Sequence, residues 1–212
     1  MSLLRRVSKR DPWIESEVVD GSIATRLART YIEHSDVRRY LSRIAEHHNI
    51  SVSTDIGAGY GRMLPVLHEF AERVVAWERE PALADLARHL YPDAEVNQVK
   101  SLAHLPAPTS TFDFVLSFTV LQHMSHEEAG EVAREIMRVL KPSGSLLLCE
   151  ETDPAHVFGQ PGDPSSKFTL GRSVAEYERI FSPLKLVETS RRRVEPGYPR
   201  PDVGSYMLFA AG

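Results

Sequence analysis

From Val52 to the end of the chain, short runs of β-branched and other apolar residues alternate with stretches whose apolar positions recur every three or four residues. The first run, 52–56, passes through Gly57-Ala58-Gly59-Tyr60-Gly61 into Met63-Leu64-Pro65-Val66-Leu67, which reads as strand, tight turn and helix start. Residues 73–77 form a second strand, 81–89 a helix with proline in its first turn, and 93–99 a weaker third strand. The near-continuous apolar run 112–118 suits a central fourth strand. A helix over 126–140, a fifth strand over 145–150, a short helix over 173–181 and two closing strands, about 184–194 and 203–210, complete the pattern. Such alternation predicts an α/β fold, with a mostly parallel sheet covered by helices on both faces.

Ahead of the first strand, residues 1–12 read as a polar, basic arm. Ile14, Val18, Val19, Ile23, Leu27 and Tyr31, then Val37, Tyr40, Leu41 and Ile44, predict two amphipathic helices separated at His34-Ser35-Asp36. The expected organisation is an arm with amphipathic helices over 1–50 and one globular unit over 51–212, because 212 residues suit one α/β domain. Between the fifth strand and the next helix, 151–170 carries Pro154, Gly159, Pro161, Gly162 and Pro164, and is expected to be a long loop. It would leave the C-terminal end of a parallel strand, where ligand crevices lie in such sheets.

Composition narrows the function classes. Hydrophobic residues at 42% and charged residues at 25% are ordinary for a folded globular chain, and the net charge of −4 gives no overall attraction to nucleic acid or anionic membrane. Two basic runs, Arg5 to Arg10 and Arg191-Arg192-Arg193, read first as a solvated tail and the face of a late strand. A single cysteine, Cys149 in an apolar run, excludes an internal disulfide framework. With no run of about 20 apolar residues and no signal-like start, a cytoplasmic location is expected.

The glycine turn carries the chemistry. Glycines there permit unusual backbone angles and let a ligand approach bare main chain. Glu78, at the tip of the second strand, stands where a dinucleotide-binding type of fold places the acid that accepts bonds from ribose hydroxyls. The spacing Gly57-x-Gly59-x-Gly61 departs from the Gly-x-Gly-x-x-Gly of nicotinamide sites, and no lysine follows it as a P-loop requires.

Asp55-x-Gly57-x-Gly59-x-Gly61, then Glu78, Phe112-Asp113-Phe114-Val115-Leu116-Ser117 and Leu140-Lys141-Pro142-Ser143-Gly144-Ser145-Leu146-Leu147-Leu148 resemble the ordered motifs of class I S-adenosylmethionine-dependent methyltransferases. The resemblance runs from about residue 51 to the C-terminus. It implies a Rossmann-like three-layer αβα sandwich, with seven strands in the order 3-2-1-4-5-7-6 and the seventh antiparallel. Its cofactor would be S-adenosylmethionine, leaving as S-adenosylhomocysteine, held by Asp55, Gly57, Ala58, Gly59, Gly61 and Glu78. Arg79, Phe118 and His123 would stand beside it. Where the family carries an acid against the adenine, alignment on Leu105-Pro106 places Ser101, with Leu102 beside it.

His123 is the first candidate for substrate chemistry, followed by Glu151, Asp153 and His156 of the strand-end loop and by Tyr31 or His34 of the N-terminal helices, which the resemblance implies are cap helices over the cofactor. His123-x-x-His126 has no further ligand at recognisable spacing, so no metal is expected. The expected acceptor is an oxygen or nitrogen of a small molecule. Competing readings are another transferase on the same scaffold, a methyltransferase of RNA or protein using the basic runs, and a non-catalytic partner subunit.

Overall fold

The computed structural model describes residues 23–161, 167–195, 200 and 204–211, with side chains from Arg26 onward. The basic arm of 1–12 and the start of the first predicted helix, up to residue 22, lie outside the described residues. Helices are α1 (Ile23–Ala45), α2 (Leu64–His68), α3 (Pro81–Leu90), α4 (His126–Val139) and α5 (Val174–Ile180). Strands are β1 (Val52–Ile56), β2 (Arg73–Glu78), β3 (Glu95–Gln98), β4 (Phe112–Phe118), β5 (Leu140–Glu150), β6 (Val157–Phe158), β7 (Thr169–Leu170), β8 (Lys185–Arg191) and β9 (Ser205–Ala210).

Seven strands form one sheet in the order β3-β2-β1-β4-β5-β9-β8, with β9 antiparallel to both neighbours. This is the expected order, once the short β6–β7 ribbon is set aside from the count. Strand alternation sorts side chains between two layers. Phe114, Leu116 and Phe118 of β4 pack with Leu147 and Cys149 of β5 against α1, α2 and α3, whereas Val115, Leu146 and Leu148 face Val132, Ile136 and Tyr177 of α4 and α5. The connections reverse direction between β1 and β4, which opens a crevice at the C-terminal ends of those strands.

Three expectations are corrected. The polar triplet His34-Ser35-Asp36 does not break the N-terminal region, because it lies inside the single helix α1. Its polar residues are the docking face: Glu33 accepts from Arg62 and Arg192, Asp36 pairs with Arg193 at 2.7 Å, and the His34 ring bonds the Arg62 carbonyl. Arg29–Glu195 at 2.6 Å, Tyr40–Ser190 at 2.7 Å and Arg43–Glu188 continue that face at three-to-four spacing along α1. The loop expected over 151–170 contains the antiparallel β6–β7 ribbon, with Val157 opposite Leu170. The fifth strand starts at Leu140 rather than 145, because Leu140 pairs with Phe112 before a register shift. No helix among the described residues is long and apolar enough to cross a membrane.

Glu33 is fully buried between two arginines whose side chains are only 16% and 14% exposed. Glu33→Ala therefore leaves two cations facing each other and should cost about 3–5 kcal/mol of unfolding free energy in denaturant titration. Arg38→Ala, which breaks a pair with the equally exposed Glu69, should cost less than about 1 kcal/mol.

Candidate functional site

The crevice is built by two backbone segments hung from strand tips. The first is the turn after β1. Gly57 and Ala58 donate their N–H groups to the Trp77 carbonyl at 2.8 and 3.0 Å. Gly57 must be glycine, since a β-carbon would stand 2.7 Å from a methyl of Val120, and its φ of +71° is left-handed. At Gly59, with φ +57°, a β-carbon would meet nothing within 4 Å and would project into open space. The Glu78 carboxylate fastens this turn by accepting from Gly59 N–H with one oxygen and from Glu80 N–H with the other, each at 2.7 Å. Glu80 itself caps α3, accepting from Ala82 N–H.

The second segment follows β4. Phe118, Thr119, Val120, His123 and Met124 form the opposite wall of the cavity whose first wall is Asp55, the glycine turn and Glu78. Thr119 holds a left-handed φ of +57°, uncommon for a β-branched residue, and donates its N–H to the Cys149 carbonyl at 2.7 Å.

Charge in this crevice is unevenly met. The Asp55 carboxyl, 2% exposed, is pushed up to about 7, chiefly by burial, with Arg62 opposing and Glu78 adding to the rise. It accepts no hydrogen bond among the described residues. Burial also raises Glu78, against the N–H groups of Glu80 and Gly59. Arg62 is the neighbouring cation: its guanidinium lies 4.6 Å from the centroid of the Phe118 ring, Arg192 lies 5.3 Å from the same ring, and Glu33 joins both. A molecule offering a cation to Asp55 and hydroxyls to Glu78 would match these groups, and the open space beside Gly59 leaves room for it.

The predicted residues divide into two groups. Asp55, Gly57, Ala58, Gly59, Glu78, Arg79, Leu102, Phe118 and His123 line the cavity. Gly61 instead closes the turn, its N–H donating to the Ala58 carbonyl at 2.9 Å. Ser101 stands back from the wall and accepts from Ala103 N–H at 3.1 Å. Tyr31 is 76% exposed on α1 and outside the cavity lining. Glu151 is buried outside that lining, paired with Arg200 at 3.1 Å, and His156 bonds the same arginine at 2.8 Å.

The tautomer of His123 follows from its partners. Gln122 Oε1 accepts from Glu151 N–H at 2.8 Å, so the Gln122 amide presents its NH₂ to His123 Nε2 at 3.1 Å. His123 Nδ1 therefore carries the proton and donates it to the Phe168 carbonyl at 2.6 Å, joining the wall to the segment that forms β7. Among the described residues no group of three or more His, Cys, Asp or Glu is gathered as for a metal. Arg62, Met63, Leu83 and Thr119 are wall residues that sequence reasoning missed. For Arg62 the signal was its place directly after the last glycine; for the others, side-chain direction is not written in the sequence.

Comparison with known proteins gives three results. Residues 54–148 match the family described as "Methyltransferase domain". A probable S-adenosylmethionine-dependent methyltransferase of Mycobacterium tuberculosis is 33% identical over 106 residues, 50% of this chain and 36% of that protein. The tRNA (carboxymethyluridine(34)-5-O)-methyltransferase of Saccharomyces cerevisiae is 30% identical over 99 residues, 46% of this chain and 34% of that protein. The chain thus spans a little over a third of the length of these curated relatives. Among solved structures, a SAM-dependent methyltransferase of Leishmania major superposes with a TM-score of 0.72 at 17% identity, covering 94% of this chain and 78% of that one. Sheet order, glycine turn and matched residues agree: residues 54–148 are similar to a methyltransferase domain, and the fold is that of solved S-adenosylmethionine-dependent methyltransferases.

Proposed function

We propose that this protein is a methyltransferase that binds S-adenosylmethionine in the crevice between β1, β2 and β4 and methylates an oxygen or nitrogen of a small molecule. The observation that carries the reading is the Asp55–Gly59–Glu78 wall. It combines a buried carboxylate without a hydrogen-bond donor, a glycine facing open space and a second carboxylate fixed to the turn. Asp55 would receive the cofactor's ammonium group and Arg62 its carboxylate. Glu78 would accept the ribose hydroxyls through lone pairs its two backbone bonds leave over. Leu102 and Leu83 offer an apolar surface for the adenine, with Arg79 at the rim, while Ser101 acts through the turn it caps.

When bound, the cofactor supplies an electrophilic methyl group on a sulfonium, whose thioether leaving group needs no acid. The chain's main task is then to hold the acceptor close and in line. His123 uses both ring nitrogens within the wall, so we assign it to positioning, and Tyr31 and Glu151 to roles outside the reacting centre. The small-molecule reading is supported by Arg192 and Arg193, whose charges meet Glu33 and Asp36 of α1 instead of forming an open basic patch. The name of the yeast relative keeps tRNA as the competing acceptor. Micromolar tRNA binding that weakens steeply between 50 and 200 mM salt, about 10³-fold or more for six or more phosphate contacts, would decide for RNA.

Gly59→Val should abolish binding of S-adenosylmethionine and S-adenosylhomocysteine in calorimetric titration while the far-ultraviolet spectrum stays native. Retained affinity would remove the turn from the site. Glu78→Ala should weaken binding by about 2 kcal/mol, the scale of charge-assisted bonds lost.

Asp55 makes a pH prediction with a definite sign. Its folded-state pKa of about 7 lies above the ordinary 3.8, so protonation favours the folded, ligand-free protein, and that stability is lost as pH rises from about 4 through 7. Asp55→Asn should therefore raise the melting temperature of the ligand-free protein at pH 8. Cofactor affinity runs the other way. It should fall about tenfold in the wild type from pH 8 to pH 6 as the carboxylate protonates, and the variant should bind weakly with a flatter profile.

A further inference from the structure

The wall segment after β4 is held from both sides by buried charges that the cofactor reading does not use. Three consecutive N–H groups, of Val120, Leu121 and Gln122, converge on the carboxylate of Glu150 at 3.1, 3.1 and 3.0 Å, and Ser117 Oγ adds a longer bond at 3.4 Å. On the other side, the guanidinium of Arg172 donates to the carbonyls of Leu121 at 2.8 Å and Met124 at 2.6 Å. Glu150 and Arg172 are both 0% exposed. The carboxylate thus sits at the N–H end of the short 3₁₀ turn Leu121–His123 and the guanidinium at its carbonyl end, each opposite the partial charge of the backbone it meets.

Burying two full charges is expensive, and an apolar pair of similar volume would commonly stabilise a core as well or better. Here the charges are spent on irregular backbone. The turn has no strand or helix ladder to satisfy its N–H groups, it begins at left-handed Thr119, and Val120 presses against Gly57 of the opposite wall. Gln122, bonded through its N–H to Glu150, also orients His123. Without the clamp, neither the Val120–Gly57 contact nor the cavity face of His123 would be fixed.

We propose that Glu150 and Arg172 are positioning residues that clamp the 118–124 turn from its two ends and so set the cofactor crevice in its binding geometry. The affinity part of this proposal rests on the cofactor reading above, while the clamp itself does not. Burial lifts the Glu150 carboxyl to about 7 against its three N–H bonds, with Arg172 also opposing, so the measurements belong at pH 8.

Full-length wild type, Glu150→Gln and Arg172→Lys would be compared by amide hydrogen exchange in the ligand-free state, by thermal melting, and by titration with S-adenosylhomocysteine. In Glu150→Gln the amide NH₂ must face at least one backbone N–H; in Arg172→Lys the charge stays, but one ammonium replaces a fork that spans two carbonyls. The expected result is exchange at residues 120–122 faster by tenfold or more than the change in global stability accounts for. Affinity for S-adenosylhomocysteine should fall at least tenfold in Glu150→Gln and less in Arg172→Lys. Exchange at 120–122 that tracks global stability, or affinity within twofold of wild type in a variant with a lowered melting temperature, would make the pair merely structural and overturn the proposal. Should Glu150→Gln not fold, Arg172→Lys decides by the same readings. If the wild type itself bound no S-adenosylhomocysteine while the variants exchanged faster, the cofactor reading would fall and the clamp would stand.

Discussion

A carboxylate buried at the end of a β-strand must be met by donors, and at this sheet the donors are backbone N–H groups of the loops that form the crevice. Glu78 on β2 takes two, from Gly59 and Glu80. Glu150 on β5 takes three, from the turn after β4. Each acid converts a flexible connection into a fixed wall, and the two walls meet where Val120 packs on Gly57. Asp55, on β1 between them, is as deeply buried and accepts no hydrogen bond among the described residues. Glu150 stands outside the cavity lining, whereas Glu78 and Asp55 both line it, Glu78 with two backbone donors and Asp55 with none among the described residues.

The same logic operates at longer range on the other side of the crevice. α1 faces β8 and the chain after it with Arg29, Glu33, Asp36, Tyr40 and Arg43, while Val37, Leu41 and Ile44 on the adjacent face enter the core. The apolar contacts supply burial. The ion pairs select orientation, since Glu33 reaches Arg62 and Arg192 together only in one placement of the helix. Because Arg62 also lies over Phe118 in the cavity wall, the pose of α1 is transmitted to the crevice through one carboxylate and two guanidinium groups. A helix whose periodicity shows only one buried face therefore helps to set the charge of the crevice beside it.

What could be read from the chain beforehand follows the range of the interactions. The glycine turn, Glu78 and the central apolar strand are local patterns with a direct meaning, and the sheet order came with the resemblance that those patterns carry. The continuity of α1 was not legible. His34-Ser35-Asp36 looks like an interruption until its partners are known, and Arg192 and Arg193 are 159 and 157 residues from Glu33 and Asp36. The β6–β7 ribbon pairs two residues with two, too few to show a period. Leu102 faces the cavity and Ser101 does not, a distinction between neighbours that only the turn geometry makes. Glu150 had a signal, an acid ending a predicted strand just as Asp55 and Glu78 do, but its three N–H partners lie some thirty residues earlier and leave no trace in composition.

Asp55 shows why such a site is costly to keep. A carboxyl lifted to about 7 by burial destabilises the ligand-free fold at neutral pH and above, because the ionised form is held where water cannot solvate it. An uncharged residue of the same shape would remove that penalty. A bound cation would remove it as well, by favouring the carboxylate that burial opposes. Part of the binding energy at this position is then relief of a strain already present in the free protein, so affinity and resting stability must respond to Asp55 in opposite directions.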